Sequence, residues 1–585
     1  MKAFTEPLLS LAGFEEMTKT AEKSSGLISV TGCIDAQKSQ MIYAFGGHRK
    51  NKLIVTFGEQ KAKELYDEYS FFDKEVVYYP SKDVLFYQSD IRGNLLTAER
   101  IRALKAIREQ ERVTLVTTFD ALMNTMAPIE KMWENVLTLE QGQLFDLKEI
   151  QAALIRMGYE KEYQVQTMGQ FSVRGGILDV FPLTEENPIR IELWGDEIDT
   201  IRYFDCESQK SIENIDRVSI YPAAELVLSD EEKAGGIDKL KAEAKRVSDK
   251  LRKQMKTEEA HRVTVMADEL TEEWGELSMY AGMDAFLSYF FDERVGILDY
   301  FNPSDSLIFF DELTRCAEQG KLTETEFSES MKQRLAMGYI LPGQMNGLFT
   351  EKEIVAKLGK YSCIALAALD NKANGLHQLG SYGIHCQSVS PYNNSFELLI
   401  KDLKRYKKNG YRVILLSGSR TRAKRLSEDI TDQGITCFYT ENYDHELFEG
   451  QIMVCYGKVR RGFEYPILKF AVITESDIFG AQQKKKKRHR TYEGEKIQSF
   501  TDLSVGDYVV HENHGLGIYR GIEKLEVDKK VKDYIKIEYQ GGSNLYILAT
   551  QLDMIQKYAG KDARKPKLNK LGGQEWTRTK TVSYT

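Results

Sequence analysis

The stretch Gly169–Phe204, GQFSVRGGILDVFPLTEENPIRIELWGDEIDTIRYF, carries the clearest β pattern of the chain. Near its centre, three apolar side chains alternate with three others: Ile189, Ile191 and Leu193 with Arg190, Glu192 and Trp194. Because side chains in a strand alternate between its two faces, the apolar set predicts a core-facing surface. Arg190 and Trp194 then project together from the other face. By the same alternation, Arg174 in an earlier strand also points away from the core.

An aromatic side chain beside arginines on a non-core face is typical of a protein-binding hot spot. The stretch therefore predicts a docking surface that contains Arg174, Arg190 and Trp194. The alternative is that Trp194 lies under a neighbouring loop and that Arg190 pairs with a carboxylate. The hairpin register stays open, since a two-residue turn sets Glu192 opposite Asp199 and a three-residue turn sets Leu193 there. The first register places like charges opposite each other, which is unfavourable.

Composition indicates an ordinary globular protein. At about 150 residues per domain, 585 residues predict about four domains, and 42% apolar with 29% charged residues is typical of soluble domains. The N-terminus does not resemble a signal peptide, and no apolar run approaches the roughly 20 residues that span a bilayer. Seven cysteines without a CxxC pair favour a reducing cytosol over zinc ribbons, so we expect a cytoplasmic protein without a structural metal or a membrane partner.

Charge gives no support to DNA binding as the main task, since the net charge is −8. One basic block, Lys484–Arg490 (KKKKRHR), stands out. A solvated linker is the usual interpretation of such a block, and contact with nucleic acid is the alternative.

The order of predicted elements gives an α/β multidomain fold. Strands alternate with helices in residues 1–125 and again in 355–480, which favours parallel sheets covered by helices. Short strands separated by glycines in 501–562 predict a small barrel of the SH3 or Tudor kind. The predicted divisions are a degenerate RecA-like domain (1–125), a β-rich insert (126–222), the rest of the RecA-like module (223–350), a second α/β domain (355–480), a basic linker (481–500), the barrel (501–562) and a tail (563–585).

Gly32–Ser39, GCIDAQKS, lies between the first predicted strand and helix, where a phosphate-binding GxxxxGK[ST] loop would lie. Gly32, Lys38 and Ser39 fit that pattern, but Gln37 replaces the second glycine. Glycine allows the left-handed backbone that aims N–H groups at phosphate, so we expect an ordinary turn that has lost tight nucleotide binding. Asp311-Glu312 follow an apolar run and look like the acidic pair that holds magnesium in ATPases, also degenerate here. The sequence contains no complete catalytic constellation.

The chain resembles the bacterial transcription-repair coupling factors, over about the N-terminal half of a family member. Four blocks carry the resemblance: the stretch quoted first, KFAVITESDIFG (469–480), VGDYVVHENHGLGIYRGI (505–522) with LYILATQLDMIQKYAG (545–560), and KPKLNKLGGQEW (565–576). The first block is similar to the excinuclease-B-like domain that binds the excinuclease protein UvrA. The third is similar to the RNA-polymerase-interacting barrel.

The resemblance implies site residues and partners. The UvrA-docking arginines and aromatic of the family correspond to Arg174, Arg190 and Trp194, and a leucine that contacts the β subunit of RNA polymerase corresponds to Leu525. Barrel-edge pairing in the family suggests two candidate strands here, Tyr534–Tyr539 and Leu545–Ile547. In the family, ATP, magnesium and DNA are bound through motor lobes. We do not find these lobes before Thr585, so the resemblance implies no cofactor for this chain and suggests a fragment, an engineered truncation or a shifted reading frame.

The sequence thus predicts an adaptor for transcription-coupled nucleotide excision repair, with no catalysis of its own. It would dock stalled RNA polymerase and recruit UvrA. One alternative is a DNA-dependent ATPase or excinuclease-B-type enzyme. The other is a transcription regulator that acts through the barrel alone.

Overall fold

A computed structural model describes most of the chain. The described residues are 1–46, 49–82, 94–144, 146–206, 208–276, 283–369, 374–480, 494–496, 503–511, 515–527, 530–540, 543–548, 555–558 and 568. The basic block Lys484–Arg490 and nearly all of the predicted tail lie outside them. Within the described part of the chain, no helix is long and apolar enough to cross a membrane.

The largest sheet has seven strands, and all of its strand pairs are parallel. Its spatial order is Gln378–Gly383, Gly26–Thr31, Ser362–Leu366, Ser306–Asp311, Asn51–Thr56, Val113–Thr118, Val76–Tyr79. The central strands are buried over nearly their full length, as expected when helices cover both faces. This confirms the parallel sheet that the strand–helix alternation predicts.

Helices before and after the insert complete this unit. The α-helices are Lys2–Thr5, Phe14–Lys23, Asp35–Gly46, Glu59–Tyr69, Asn94–Glu109, Phe119–Met123, Ile129–Glu134, Asp230–Lys253, Thr257–Glu276, Leu287–Phe290, Leu313–Ala336 and Glu351–Leu358. Among the described residues there are also four 3₁₀ helices: Glu6–Ser10, Met283–Phe286, Ile297–Tyr300 and Pro342–Gly347. The predicted boundary at residue 355 is too early, because the strands Ser362–Leu366 and Gln378–Gly383 pair with Gly26–Thr31 in the first sheet.

The insert is built on a six-stranded sheet. Its order is Ser211–Ile215, Glu197–Phe204, Ile189–Trp194, Ile177–Val180, Gln170–Arg174, Glu160–Lys161. One face buries an apolar layer against the helix Leu147–Arg156 and against a two-stranded sheet, Leu137–Glu140 with Arg217–Ile220. The opposite face therefore remains available for polar side chains and partners.

The second α/β unit has a six-stranded sheet. Its order is Gln387–Ser388, Phe463–Tyr465, Phe470–Thr474, Arg412–Ser417, Ile452–Tyr456, Phe438–Tyr439, with helices Phe396–Lys408, Arg420–Asp432 and Glu475–Phe479. Its apolar side chains join those of the first sheet in one continuous cluster, in which Ile414 and Phe470 belong with Ile54 and Phe309. The two α/β units therefore share a core.

The C-terminal unit is a six-stranded antiparallel sheet. Its order is Gly494–Lys496, Ile555–Tyr558, Tyr508–His511, Gly515–Val527, Lys530–Glu538, Asn544–Leu548. Gly494–Lys496 pairs with Ile555–Tyr558, so part of the stretch predicted as linker belongs to this sheet. Of the two candidate edge strands, residues 534–538 are paired on both sides, so Tyr534–Tyr539 is not an edge. Leu545–Ile547 lies in a strand with one neighbour among the described strands.

Candidate functional site

The non-core face of the insert carries two arginines that converge on one carboxylate. Asp179 lies directly opposite Arg190 in the neighbouring strand, and its side chain is 1% exposed. Arg190 Nε donates to Asp179 Oδ1 at 2.7 Å and Arg190 Nη2 donates to Oδ2 at 2.9 Å. Arg174 Nη2 donates to the same Oδ2 at 2.7 Å. The two guanidinium groups are therefore held in fixed positions on this face by a buried acid.

Arg190 is more enclosed than Arg174. Its Nη2 also donates to Gln209 Oε1 at 2.8 Å, and its guanidinium lies 4.3 Å from the centre of the Phe204 ring. Hydrogen bonding to Asp179 raises the pKa of Arg190 against the opposing effect of burial. The alternative that Arg190 pairs with a carboxylate is correct, and most of its bonding capacity is used inside the protein.

Trp194 differs from Arg190 because its side chain is 84% exposed. It ends the strand just before the Gly195-Asp196 turn and lies opposite Glu197. The turn thus has two residues, but Glu192 faces Thr200, because the pairing register shifts between Ile198 and Thr200. The two-residue turn is therefore confirmed and the three-residue turn is wrong, while the Glu192–Asp199 pair expected of a regular ladder is avoided by this β-bulge.

Sequence reasoning missed Asp179 and Gln209. The signal for Asp179 is present, because it alternates with the buried Leu178 and Val180 and must face the same side as Arg190. Gln209 lies outside the strands, with a positive φ of 57°, and no periodic pattern predicts it.

The degenerate phosphate loop is occupied by the protein's own charges. Lys38 is buried, and its Nζ donates to Asp311 Oδ1 at 2.5 Å, to Glu312 Oε1 at 2.8 Å and to Asp35 Oδ1 at 3.2 Å. Burial alone would lower the pKa of Lys38, but Asp311 and Glu312 raise it above its usual value. The lysine and the acidic pair that the sequence singled out are thus brought together, as partners of one another.

The backbone of the loop is also committed. Gly32 N–H donates to the Ala368 carbonyl at 3.3 Å, and Cys33 N–H donates to the Ala367 carbonyl at 2.9 Å. Gly32 has a φ of +79°, and a Cβ there would lie 2.0 Å from the Ile384 carbonyl oxygen. Gln37 and Ser39 are buried within the helix that follows. The N–H groups of Gly32 and Cys33 are thus used inside the protein, whereas the side-chain polar atoms of Gln37 and Ser39 have no hydrogen-bond partner among the residues that the structure describes.

Leu525 lies in the strand Gly515–Val527, opposite Lys532, and its side chain is outside the described part of the structure. Its role in polymerase binding stays a prediction. In the same unit, Asn544–Leu548 has one described neighbour, Lys530–Glu538. A strand that is paired on one side can present the backbone N–H and C=O groups of its other side to a strand of another chain.

Two family models match the chain. Residues 137–226 match the UvrB interaction domain, and residues 503–559 match the CarD-like/TRCF RID domain. The first match contains Asp179, both converging arginines and Trp194; the second contains Leu525.

Relatives that match nearly the whole chain are named transcription-repair-coupling factors. That of Bacillus subtilis is 31% identical over 530 residues, 90% of this chain and 44% of the relative. Those of Staphylococcus haemolyticus and Staphylococcus aureus strain MRSA252 are each 30% identical, over 94% and 97% of this chain and 47% and 48% of the relatives. The chain therefore spans about half the length of the relatives it matches.

Proposed function

We propose that this chain, a relative of the transcription-repair-coupling factors, is an adaptor that links RNA polymerase stalled at DNA damage to nucleotide excision repair. Its insert would bind the excinuclease protein UvrA. Its C-terminal sheet would close into an SH3- or Tudor-like barrel and bind RNA polymerase through the β subunit. The observation that carries the proposal is the exposed indole of Trp194 on the same sheet face as two anchored arginines, within a match to the UvrB interaction domain.

Arg174, Trp194 and Arg190 would contribute to binding in different ways. Arg174 has a side chain that is 37% exposed and one bond to Asp179, so it can turn N–H groups toward an acidic partner residue. Trp194 can contribute a large apolar area at low entropic cost. Arg190, which is 13% exposed, would act mainly by holding Asp179 and thereby the position of Arg174.

We further propose that the seven-stranded RecA-like sheet serves as a scaffold and binds no ATP or magnesium. The three carboxylates around Lys38 support this proposal, because a phosphate would have to displace them from a buried cation. ATP hydrolysis and DNA translocation would belong to the motor of the whole protein, and the protein would act in the cytoplasm.

Trp194→Ala tests the docking role, with binding of purified UvrA measured by titration. We expect at least tenfold weaker binding and an unchanged circular dichroism spectrum, because an exposed side chain contributes little to the fold. Phe448→Ala, which truncates an exposed aromatic in the second α/β unit, is the matched control and should bind normally. Equal affinity of Trp194→Ala and the unsubstituted chain would reject the proposal.

A further inference from the structure

The segment 141–144 extends the sheet of the insert beside the Trp194 hairpin. Gly142 N–H donates to the Ile198 carbonyl at 2.8 Å, and Ile198 N–H donates to the Gln143 carbonyl at 2.9 Å. Leu144 forms an isolated antiparallel bridge with Glu197. These bonds fix the backbone of Leu144 against the strand that also pairs with Trp194.

Glu197 therefore has a fixed neighbour on each side. It lies opposite Trp194 in one strand and opposite Leu144 in the segment on the other side. Residues directly opposite each other in antiparallel pairs place their side chains on the same face. The three residues form a row across the sheet, with about 10 Å between the backbones of its two ends. We call this the Trp194–Glu197–Leu144 row.

Both ends of the row are apolar and open to solvent. Trp194 is 84% exposed and Leu144 is 72% exposed. Two large apolar side chains next to hydrogen-bonded backbone lose less conformational entropy on binding than side chains on an unpaired loop, which favours a docking surface here.

The charges around the row define the partner that fits it. Glu197 lies between the apolar ends, and Asp196 and Asp199 are exposed nearby. Positive charge lies on the same face at Arg190, four residues from Trp194 in its own strand and about 13 Å away. Arg174 lies two strands across the sheet, level with Glu192. A complementary surface must therefore present a basic side chain flanked by apolar groups at the row, and an acidic side chain toward Arg174.

We propose that Leu144 is a second apolar contact for the protein that docks at Trp194, and that Glu197 receives a basic side chain of that protein between them. The inference rests on the proposed function, because it assigns the row to the same partner. The binding surface then crosses the sheet onto the segment 141–144, beyond the arginines and the tryptophan.

Titration of purified UvrA against Leu144→Ala, Glu197→Gln and Glu197→Lys tests this inference on the full chain. We expect Leu144→Ala to weaken binding about threefold to tenfold, and Glu197→Lys to weaken it more than Glu197→Gln. The excess effect of Glu197→Lys should shrink at high salt. Leu9→Ala, an exposed leucine outside the insert, is the control and should bind normally.

The outcomes separate the inference from its premise. If Trp194→Ala weakens binding but Leu144→Ala and both Glu197 variants bind normally, the inference is wrong and the proposed function stands. If Trp194→Ala also binds normally, the proposed function fails with it. If Leu144→Ala changes only the sedimentation behaviour of the chain, the row contacts a second copy and the inference is wrong.

Discussion

Replacement of Arg190 by methionine should weaken the insert itself, because Asp179 depends on it. The change removes the hydrogen bonds at 2.7 and 2.9 Å to a carboxylate that is 1% exposed. Loss of one partner from a buried ion pair costs about 3–5 kcal/mol. Since Arg174 stays bonded to Asp179, we expect the lower end, about 3 kcal/mol.

Native-state hydrogen exchange is the suitable assay, since a chain of several domains does not unfold in a single two-state transition. A loss of about 3 kcal/mol corresponds to exchange about a hundredfold faster, because each 1.4 kcal/mol is a factor of ten. The change should appear in the strands Ile177–Val180 and Ile189–Trp194. The strand Arg412–Ser417, in another sheet, should exchange as before.

A second variant isolates the ion pair. Asp179→Asn removes the buried charge, so Arg190→Met added to it should cost less than Arg190→Met alone, with a coupling of about 0.5–3 kcal/mol. Unchanged protection in Arg190→Met, or strictly additive effects in the double variant, would refute the reasoning that Arg190 acts through Asp179.

Three further outcomes are expected. Lys38→Met should lower stability by about 3–5 kcal/mol by leaving buried carboxylates uncompensated; unchanged hydrogen exchange in the strand Ser306–Asp311 would contradict this. Stabilisation of the unsubstituted chain by ATP would contradict the proposal that the sheet binds no nucleotide. Burial alone would raise the pKa of Glu225, but Arg100 and Lys82 lower it from 4.5 to about 2. Ionised Glu225 should therefore contribute about 3 kcal/mol to the free energy of unfolding above pH 4.5, and this contribution should be lost as the pH falls toward 2. Glu225→Gln should remove this acid sensitivity in urea unfolding series, and a variant that keeps it would exclude Glu225 as the cause. Binding of the polymerase β subunit should protect amides of the edge strand Asn544–Leu548 more than those of the doubly paired residues 534–538; hydrogen exchange that shows the reverse would exclude pairing at that edge.

The sequence predicts elements well where one local pattern decides them. The strand–helix alternation predicted for residues 1–125 is observed, for example in the helix Asp35–Gly46 and the strand Val113–Thr118. The boundary at 355 fails for a physical reason, since Ser362–Leu366 is buried on both faces and such a strand fits any parallel sheet. Which sheet receives it depends on long-range pairing that a local pattern does not contain.

The candidate site divides in the same way. Alternation places Arg190 and Trp194 off the core face, and the same alternation contains the signal for Asp179. The bulge at Asp199 could not be predicted, because the choice between registers depends on the energies of competing charge pairs. Leu144 lies outside any strand, and its position follows from hydrogen bonds that only the folded chain forms.

The common core of the two α/β units has a mechanical consequence. Paired lobes that perform work must rotate against each other, and here such a rotation would shear an apolar layer that contains Phe309 and Ile414. A salt bridge also joins the two units, with Arg460 Nη1 2.7 Å from Glu64 Oε2. The two α/β units should therefore move as one body, so that a force applied to the second unit is passed directly to the seven-stranded sheet.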